Sequence, residues 1–125
     1  MASDYYLVVS DGGYKNGLSY GSFRVFDSKG LTTTHNRFII GLGTSNQSEY
    51  IALLNSMRWC LDNDIRNAVF FTDSRLVVKQ VLGEWRCLNH NMRKLCKKVR
   101  SVSSEFEKFE INYIPTKYVK QKLGH

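Results

Sequence analysis

Acid is what this chain has little of. It carries 11 Asp and Glu against 18 Lys and Arg, a formal charge of +7. Proline is rarer still, with a single residue, and the three cysteines, Cys60, Cys87 and Cys96, show no CxxC spacing. An odd, unpatterned set of thiols argues against a disulfide framework or a zinc site and fits a reducing, cytoplasmic setting. No apolar run approaches the roughly 20 residues that span a bilayer, so no membrane association is expected. The opening Met1-Ala2-Ser3-Asp4 lacks the basic and apolar regions of a signal peptide. At 125 residues the chain is expected to be a single domain over 1–125, working as a monomer, with one sizeable core.

The few acids present sit at telling places. Val9-Ser10-Asp11-Gly12-Gly13, Ser48-Glu49-Tyr50 and Phe71-Thr72-Asp73-Ser74 each set one carboxylate at the end of an apolar run or the head of a helix-like run. Taken singly, each has a structural reading: Asp11 in a turn, Asp73 as a helix cap, Glu49 as a first-turn acid favoured by the helix dipole. Taken together in a basic chain, they suggest a site for something cationic. A divalent metal is the natural occupant, because Mg²⁺ takes oxygen ligands from one or two carboxylates plus substrate phosphates.

The positive charge is localised. Arg86, Arg93, Lys94, Lys97, Lys98 and Arg100 fall in one acid-free stretch, and Lys117, Lys120 and Lys122 in another. Such a face is either a solvated helix surface or one that neutralises phosphates and releases counterions.

The first third reads as strands. Tyr5 to Ser10 is apolar and partly β-branched, followed by a turn at Asp11-Gly12-Gly13. Ser19 to Asp27 and Leu31 to Ile40 follow, joined by a hairpin turn at Asp27-Ser28-Lys29-Gly30, which makes an antiparallel meander. The period then changes. Tyr50, Ile51, Leu54, Met57 and Leu61 predict an amphipathic helix over Gln47 to Leu61, capped by Ser45 or Asn46, with Glu49 in its first turn. Asn67 to Thr72 is a strand, and Asp73-Ser74 leads into a helix through Gln80 that ends near Gly83. Leu88 to Ser103 is a third helix, Phe109 to Ile114 a fifth strand stopped by Pro115, and Thr116 onward the start of one more helix. The expected fold is α/β: a five-stranded mixed sheet, with strands one to three antiparallel and the later ones parallel, flanked by helices. Its first strand pairs with the one ending at Asp73. Ligand sites in such sheets lie at the carboxyl ends of parallel strands, where Asp11 and Asp73 fall.

These phrases, in this order, resemble the ribonuclease H family, type 1, across nearly the whole chain. The resemblance rests on Ser10-Asp11-Gly12-Gly13, Thr44-Ser45-Asn46-Gln47-Ser48-Glu49-Tyr50-Ile51-Ala52-Leu53, Thr72-Asp73-Ser74-Arg75-Leu76-Val77-Val78, Leu82-Gly83-Glu84-Trp85 and Phe109-Glu110-Ile111-Asn112-Tyr113-Ile114-Pro115. It implies a ribonuclease H-like fold and cleavage of the RNA strand of RNA–DNA hybrids, leaving 5′-phosphate and 3′-hydroxyl ends. It also implies two Mg²⁺ or Mn²⁺ ions, about 3.5–4 Å apart, held by four acidic residues. Carried over, Asp11, Glu49 and Asp73 are three of those ligands. Asn46, Gln47, Gly12 and Gly13 match positions near the RNA strand, whose 2′-hydroxyl distinguishes it from DNA. Trp85 and Asn91 lie where the family meets the DNA strand. Longer members carry a basic protrusion that is reduced here to Gly83 to Asn89; Arg93, Lys94, Lys97 and Lys98 can replace part of its electrostatics.

The departure is at the C-terminal end. The family's fourth ligand is an Asp, and the stretch from Pro115 to His125 contains no acid. Counting from Pro115 puts that Asp at Leu123, so His125, or a terminal carboxylate at that residue, is the replacement expected. Imidazole suits Mn²⁺ better than Mg²⁺. Two function classes follow: an active hybrid endonuclease, or a hybrid- or duplex-RNA-binding module of the same fold that cleaves poorly. His35 and His90 read as surface residues. Gly41-Leu42-Gly43 lacks the third glycine of a dinucleotide fingerprint.

Overall fold

The computed structural model describes residues 5–41 and 43–124. Met1 to Asp4, Leu42 and the expected fourth ligand His125 lie outside the described residues. The elements run β1 (Tyr6–Lys15), β2 (Leu18–Phe26), β3 (Thr32–Gly41), α1 (Ser45–Asp62), β4 (Asn67–Thr72), α2 (Arg75–Val81), α3 (His90–Ser103), β5 (Lys108–Tyr113) and α4 (Thr116–Leu123). The sheet order is β3-β2-β1-β4-β5. β1, β2 and β3 pair antiparallel, whereas β4 runs parallel to both β1 and β5. That is the mixed sheet the sequence predicts.

Alternation along the strands sorts side chains to two faces. Val8, Phe23, Val25, Phe70 and Ile111 meet Tyr50, Leu53 and Met57 of α1 and Val99 of α3 in the main core. Val9 meets Val119 and Leu123 of α4 on the other face, flanked by Phe26, Phe71 and Ile114. Three helices therefore cover one face, and α4 packs on the other. No helix among the described residues is long and apolar enough to cross a membrane.

Three local expectations need correction. Asp11-Gly12-Gly13 is not a turn: β1 continues to Lys15, with Asp11 opposite Ser22, Gly12 opposite Gly21 and Gly13 opposite Tyr20. The chain reverses at Asn16-Gly17, whose positive φ angles of 54° and 79° are those of a tight two-residue hairpin. The cap of α1 is Thr44, not Ser45 or Asn46. Its hydroxyl accepts from the Gln47 amide while the Gln47 side chain accepts from the Thr44 amide, a reciprocal capping box. That earlier start moves Glu49 out of the first turn and into the second, where α1 is already packed on the sheet. Smaller shifts affect α3, which begins at His90 after the cap residue Asn89, and β5, which begins and ends one residue early.

Candidate metal centre

Three elements bring Asp11, Glu49 and Asp73 together. Asp11 stands on β1 just beyond the last parallel pairing with β4, Val9 with Phe71. Asp73 follows the last residue of β4, and Ser74 rather than Asp73 caps α2, its hydroxyl accepting from the Val77 amide. The Asp73 carboxylate is thus spared capping duty. Glu49 reaches the same point from α1. One carboxylate oxygen from each residue lies within 4.8 Å of the other two.

Gly12 makes this convergence possible. An ideal Cβ there would lie 2.2 Å from the Ser48 carbonyl carbon and 2.4 Å from the Glu49 nitrogen. Only glycine lets β1 and α1 approach so closely. The contact is fastened on both sides: Ser48 Oγ donates to the Gly13 carbonyl at 3.2 Å, and the Gly12 amide donates to Glu49 Oε1. The Thr72 hydroxyl lies 3.5 Å from Glu49 Oε2 as a donor and itself accepts from the Ser74 amide at 3.2 Å.

Charge is crowded here. Glu49 is 8% exposed. Burial pushes its carboxyl up to about 10, with the Asp11 and Asp73 carboxylates adding to the rise and the Gly12 amide opposing it. Three acids at this spacing fit a hard divalent cation that prefers oxygen ligands, because such an ion balances the charge that otherwise holds a proton on Glu49.

The other residues expected to act lie around this cluster and beyond it. Asn46 is exposed on the first turn of α1, and Gln47 is half-buried, its carbonyl oxygen committed to the capping box. Trp85 is 48% exposed in the segment between α2 and α3. It lines a groove of about 540 Å³ with Arg86, Arg93, Lys97 and Arg100. Arg93 is also structural, its Nε donating to the Cys87 carbonyl at 3.1 Å. Asn91, Lys94, Lys97 and Lys98 are exposed on α3. A groove of about 770 Å³ lies at the amino ends of β4 and β5 around Asn67 and Lys108 and reaches none of the three acids.

Sequence reasoning missed Thr72, the hydroxyl beside Glu49, although its place in Thr72-Asp73-Ser74 was in view. It also missed Arg24 and Arg37, which hold the end of α4; the signal for those is purely three-dimensional. Arg24 Nη1 donates to the Lys122 carbonyl at 2.9 Å and Arg37 Nη2 to the Leu123 carbonyl at 3.2 Å.

A mixed sheet in this order, with three carboxylates where its parallel strands end, defines a ribonuclease H-type fold with a candidate metal centre. The chain belongs to the reverse transcriptase-like family, whose profile matches residues 9–120. Among curated relatives, the bifunctional protein Rv2228c of Mycobacterium tuberculosis is 23% identical over 112 residues, 87% of this chain and 31% of that protein. A ribonuclease HI of Halobacterium salinarum is 30% identical over 76 residues, 61% of this chain and 38% of the relative. The chain thus spans about a third of the length of the curated relatives it matches. In three dimensions it resembles the ribonuclease H1 of Halobacterium salinarum, with a TM-score of 0.89 at 22% identity, covering 93% of this chain and 89% of that one. The LC11 ribonuclease H1, solved in complex with an RNA/DNA hybrid, gives a TM-score of 0.84 at 20% identity, with 93% and 89% covered. At these identities the structural likeness is one of fold.

Proposed function

We propose that the chain is a divalent-metal-dependent ribonuclease H, an endonuclease that hydrolyses the RNA strand of an RNA–DNA hybrid to leave 5′-phosphate and 3′-hydroxyl ends. The observation that carries this reading is the cluster of Asp11, Glu49 and Asp73 within 4.8 Å on three separate elements of an otherwise basic chain. The relative named ribonuclease HI and the fold shared with a hybrid-bound ribonuclease H1 support the same substrate.

Asp11, Glu49 and Asp73 would hold the cations, two Mg²⁺ or Mn²⁺ in this reading. Bound there, such ions supply an activated water and stabilise the leaving oxygen of an in-line displacement. The protein's own part is positional. The Gly12 amide and the Thr72 hydroxyl orient the Glu49 carboxylate, and the Gly12 contact fixes its distance from Asp11. Asn46, exposed at the head of α1, offers an amide that donates and accepts at an RNA 2′-hydroxyl or base edge. Gln47, Gly12 and Gly13 line the same approach, Trp85 and Asn91 would meet the DNA strand, and Arg93, Lys94 and Lys97 would supply charge to the hybrid's phosphates. His125 serves as the fourth ligand in this proposal.

A second reading has one observation in its favour: α4, Thr116–Leu123, carries no acid. A chain short of a fourth carboxylate would act as a hybrid-binding module with little cleavage. End-labelled hybrid, incubated with Mg²⁺ or with Mn²⁺ beside Asp11→Asn and His125→Ala, separates the two. Cutting of the RNA strand alone, lost in Asp11→Asn, supports the nuclease, and its further loss in His125→Ala supports the fourth ligand. Salt-sensitive binding without cleavage under either metal favours the module.

A further inference from the structure

α4 is a helix that cannot hold itself in place. It has eight residues, Thr116–Leu123, and no side chain caps its start, where Pro115 stands. Helices this short are marginal without tertiary support. Two apolar anchors, Val119 and Leu123, are fully buried against Val9. Its last carbonyls have no partners within the helix.

Two guanidinium groups from the sheet take those carbonyls. Arg24 of β2 donates to the Lys122 carbonyl and Arg37 of β3 to the Leu123 carbonyl. Arg24 is itself fixed, its Nε and Nη2 lying 2.9 and 2.6 Å from Thr32 Oγ1 and its Cζ 4.8 Å from the Phe26 ring centroid. Cations at the negative end of a helix are favourable. Yet α4 already carries Lys117, Lys120 and Lys122, so two further cations add repulsion that an apolar contact would have avoided.

The register suggests what offsets this. Arg24 pairs with Val9, two residues before Asp11, and Ser22 lies between Asp11 and Arg37 in one cross-strand row. Adjacent strands are about 4.8 Å apart, so Arg37 stands about 10 Å from the Asp11 backbone. By alternation Asp11 shares the face of Val9, the face on which α4 packs. The arginines therefore hold the C-terminal turn of α4 on the sheet face that Asp11 shares.

We propose that Arg24 and Arg37 are positioning residues: together they clamp the last turn of α4 on the sheet face that carries Asp11 and thereby set the metal affinity of the acidic site. This rests on the metal-centre reading above. Neither arginine touches substrate in this role; each acts through the α4 backbone.

The test uses the full chain and Mn²⁺ alone, without nucleic acid. Amide hydrogen exchange of α4 and Mn²⁺ affinity by calorimetry are compared for the unsubstituted protein, Arg24→Ala, Arg37→Ala and the milder Thr32→Val, which removes the hydroxyl that orients Arg24. Faster exchange confined to α4 and an Mn²⁺ affinity weakened about tenfold are expected for the arginine variants. Thr32→Val should move both readouts in the same direction by less. On hybrid, kcat at limiting Mn²⁺ should fall while KM stays near its original value. Loosened α4 with unchanged Mn²⁺ affinity, or unaltered exchange, overturns the clamp. If the unsubstituted protein binds no Mn²⁺, the metal-centre reading fails, and this proposal fails with it. Normal binding that the variants share overturns the clamp alone.

Discussion

The acidic cluster and the basic face of α3 are both charged, yet they are built in opposite ways. The acids come from stretches far apart in sequence, and Glu49 is fastened in place: a strand amide donates to it, a glycine presses β1 against α1, and a threonine hydroxyl lies behind. The cations Lys94, Lys97 and Lys98 come from one helix, project into solvent and follow one another within a single stretch of chain. In the proposed function, chemistry at phosphorus would tolerate little misplacement, so its ligands would need to be overdetermined. Phosphate binding would need only charge at about the right place, so an exposed lysine would suffice.

That contrast predicts a gradient of mutational effects. At the top stands Asp73→Asn, which should reduce cleavage by about 100-fold or more while leaving hybrid affinity in EDTA nearly unchanged. Equal loss of binding and cleavage would erase the distinction between the two regions. Gly12→Ala comes next. Its Cβ meets backbone of Ser48 and Glu49, so the fold should lose about 1–3 kcal/mol in denaturant titration and cleavage should fall even where the protein remains folded. Gly13→Ala is the control: the atoms nearest its Cβ belong to the Tyr20 side chain, which can move, so a smaller loss is expected.

On the basic side the effects should be graded rather than abrupt. Lys94→Ala with Lys97→Ala should weaken hybrid binding several-fold at low salt and flatten the plot of log affinity against log salt by about two. Its kcat at saturating hybrid should hold. A fall in kcat with unchanged salt dependence would place these lysines outside the binding face.

A further prediction concerns pH in the metal-free protein. Glu49 sits beside Asp11 and Asp73, and its carboxyl is raised from the usual 4.5 to about 10. Between those values the folded chain keeps a proton that the unfolded chain releases. The stability tied to that proton is complete below about 4.5 and lost as pH rises through about 10. Glu49→Gln removes this dependence. In EDTA, melting temperatures from pH 5 to pH 9 should therefore shift steadily in favour of Glu49→Gln, and the absence of any such shift would mean that Glu49 is ionised without metal.

What was readable in the sequence follows the same division. Periodicity located nearly every element, because strands and helices bury their apolar residues at different spacings. The three acids stood out because they interrupt those patterns in a chain poor in acid. Asp11-Gly12-Gly13 misled because Asp and Gly are turn formers, whereas here Gly12 is required by another element passing 37 residues later in the chain. Thr44-Ser45-Asn46-Gln47 has the spacing of a capping box, a local signal for Thr44 as the cap. The burial of Glu49 and the hold of Arg24 and Arg37 on α4 left no local trace; they depend on which surfaces meet.

The parallel pairing of β1 with β4 has a kinetic consequence. β1, β2 and β3 can zip together through short hairpins, while Glu49 meets its partners Gly12 and Thr72 across 37 and 23 residues of chain. Non-local contacts of this kind close slowly. A nascent chain with only its meander formed would lack Glu49 and Asp73 beside Asp11, so under the proposed function cation binding and cleavage would be among the last properties to emerge.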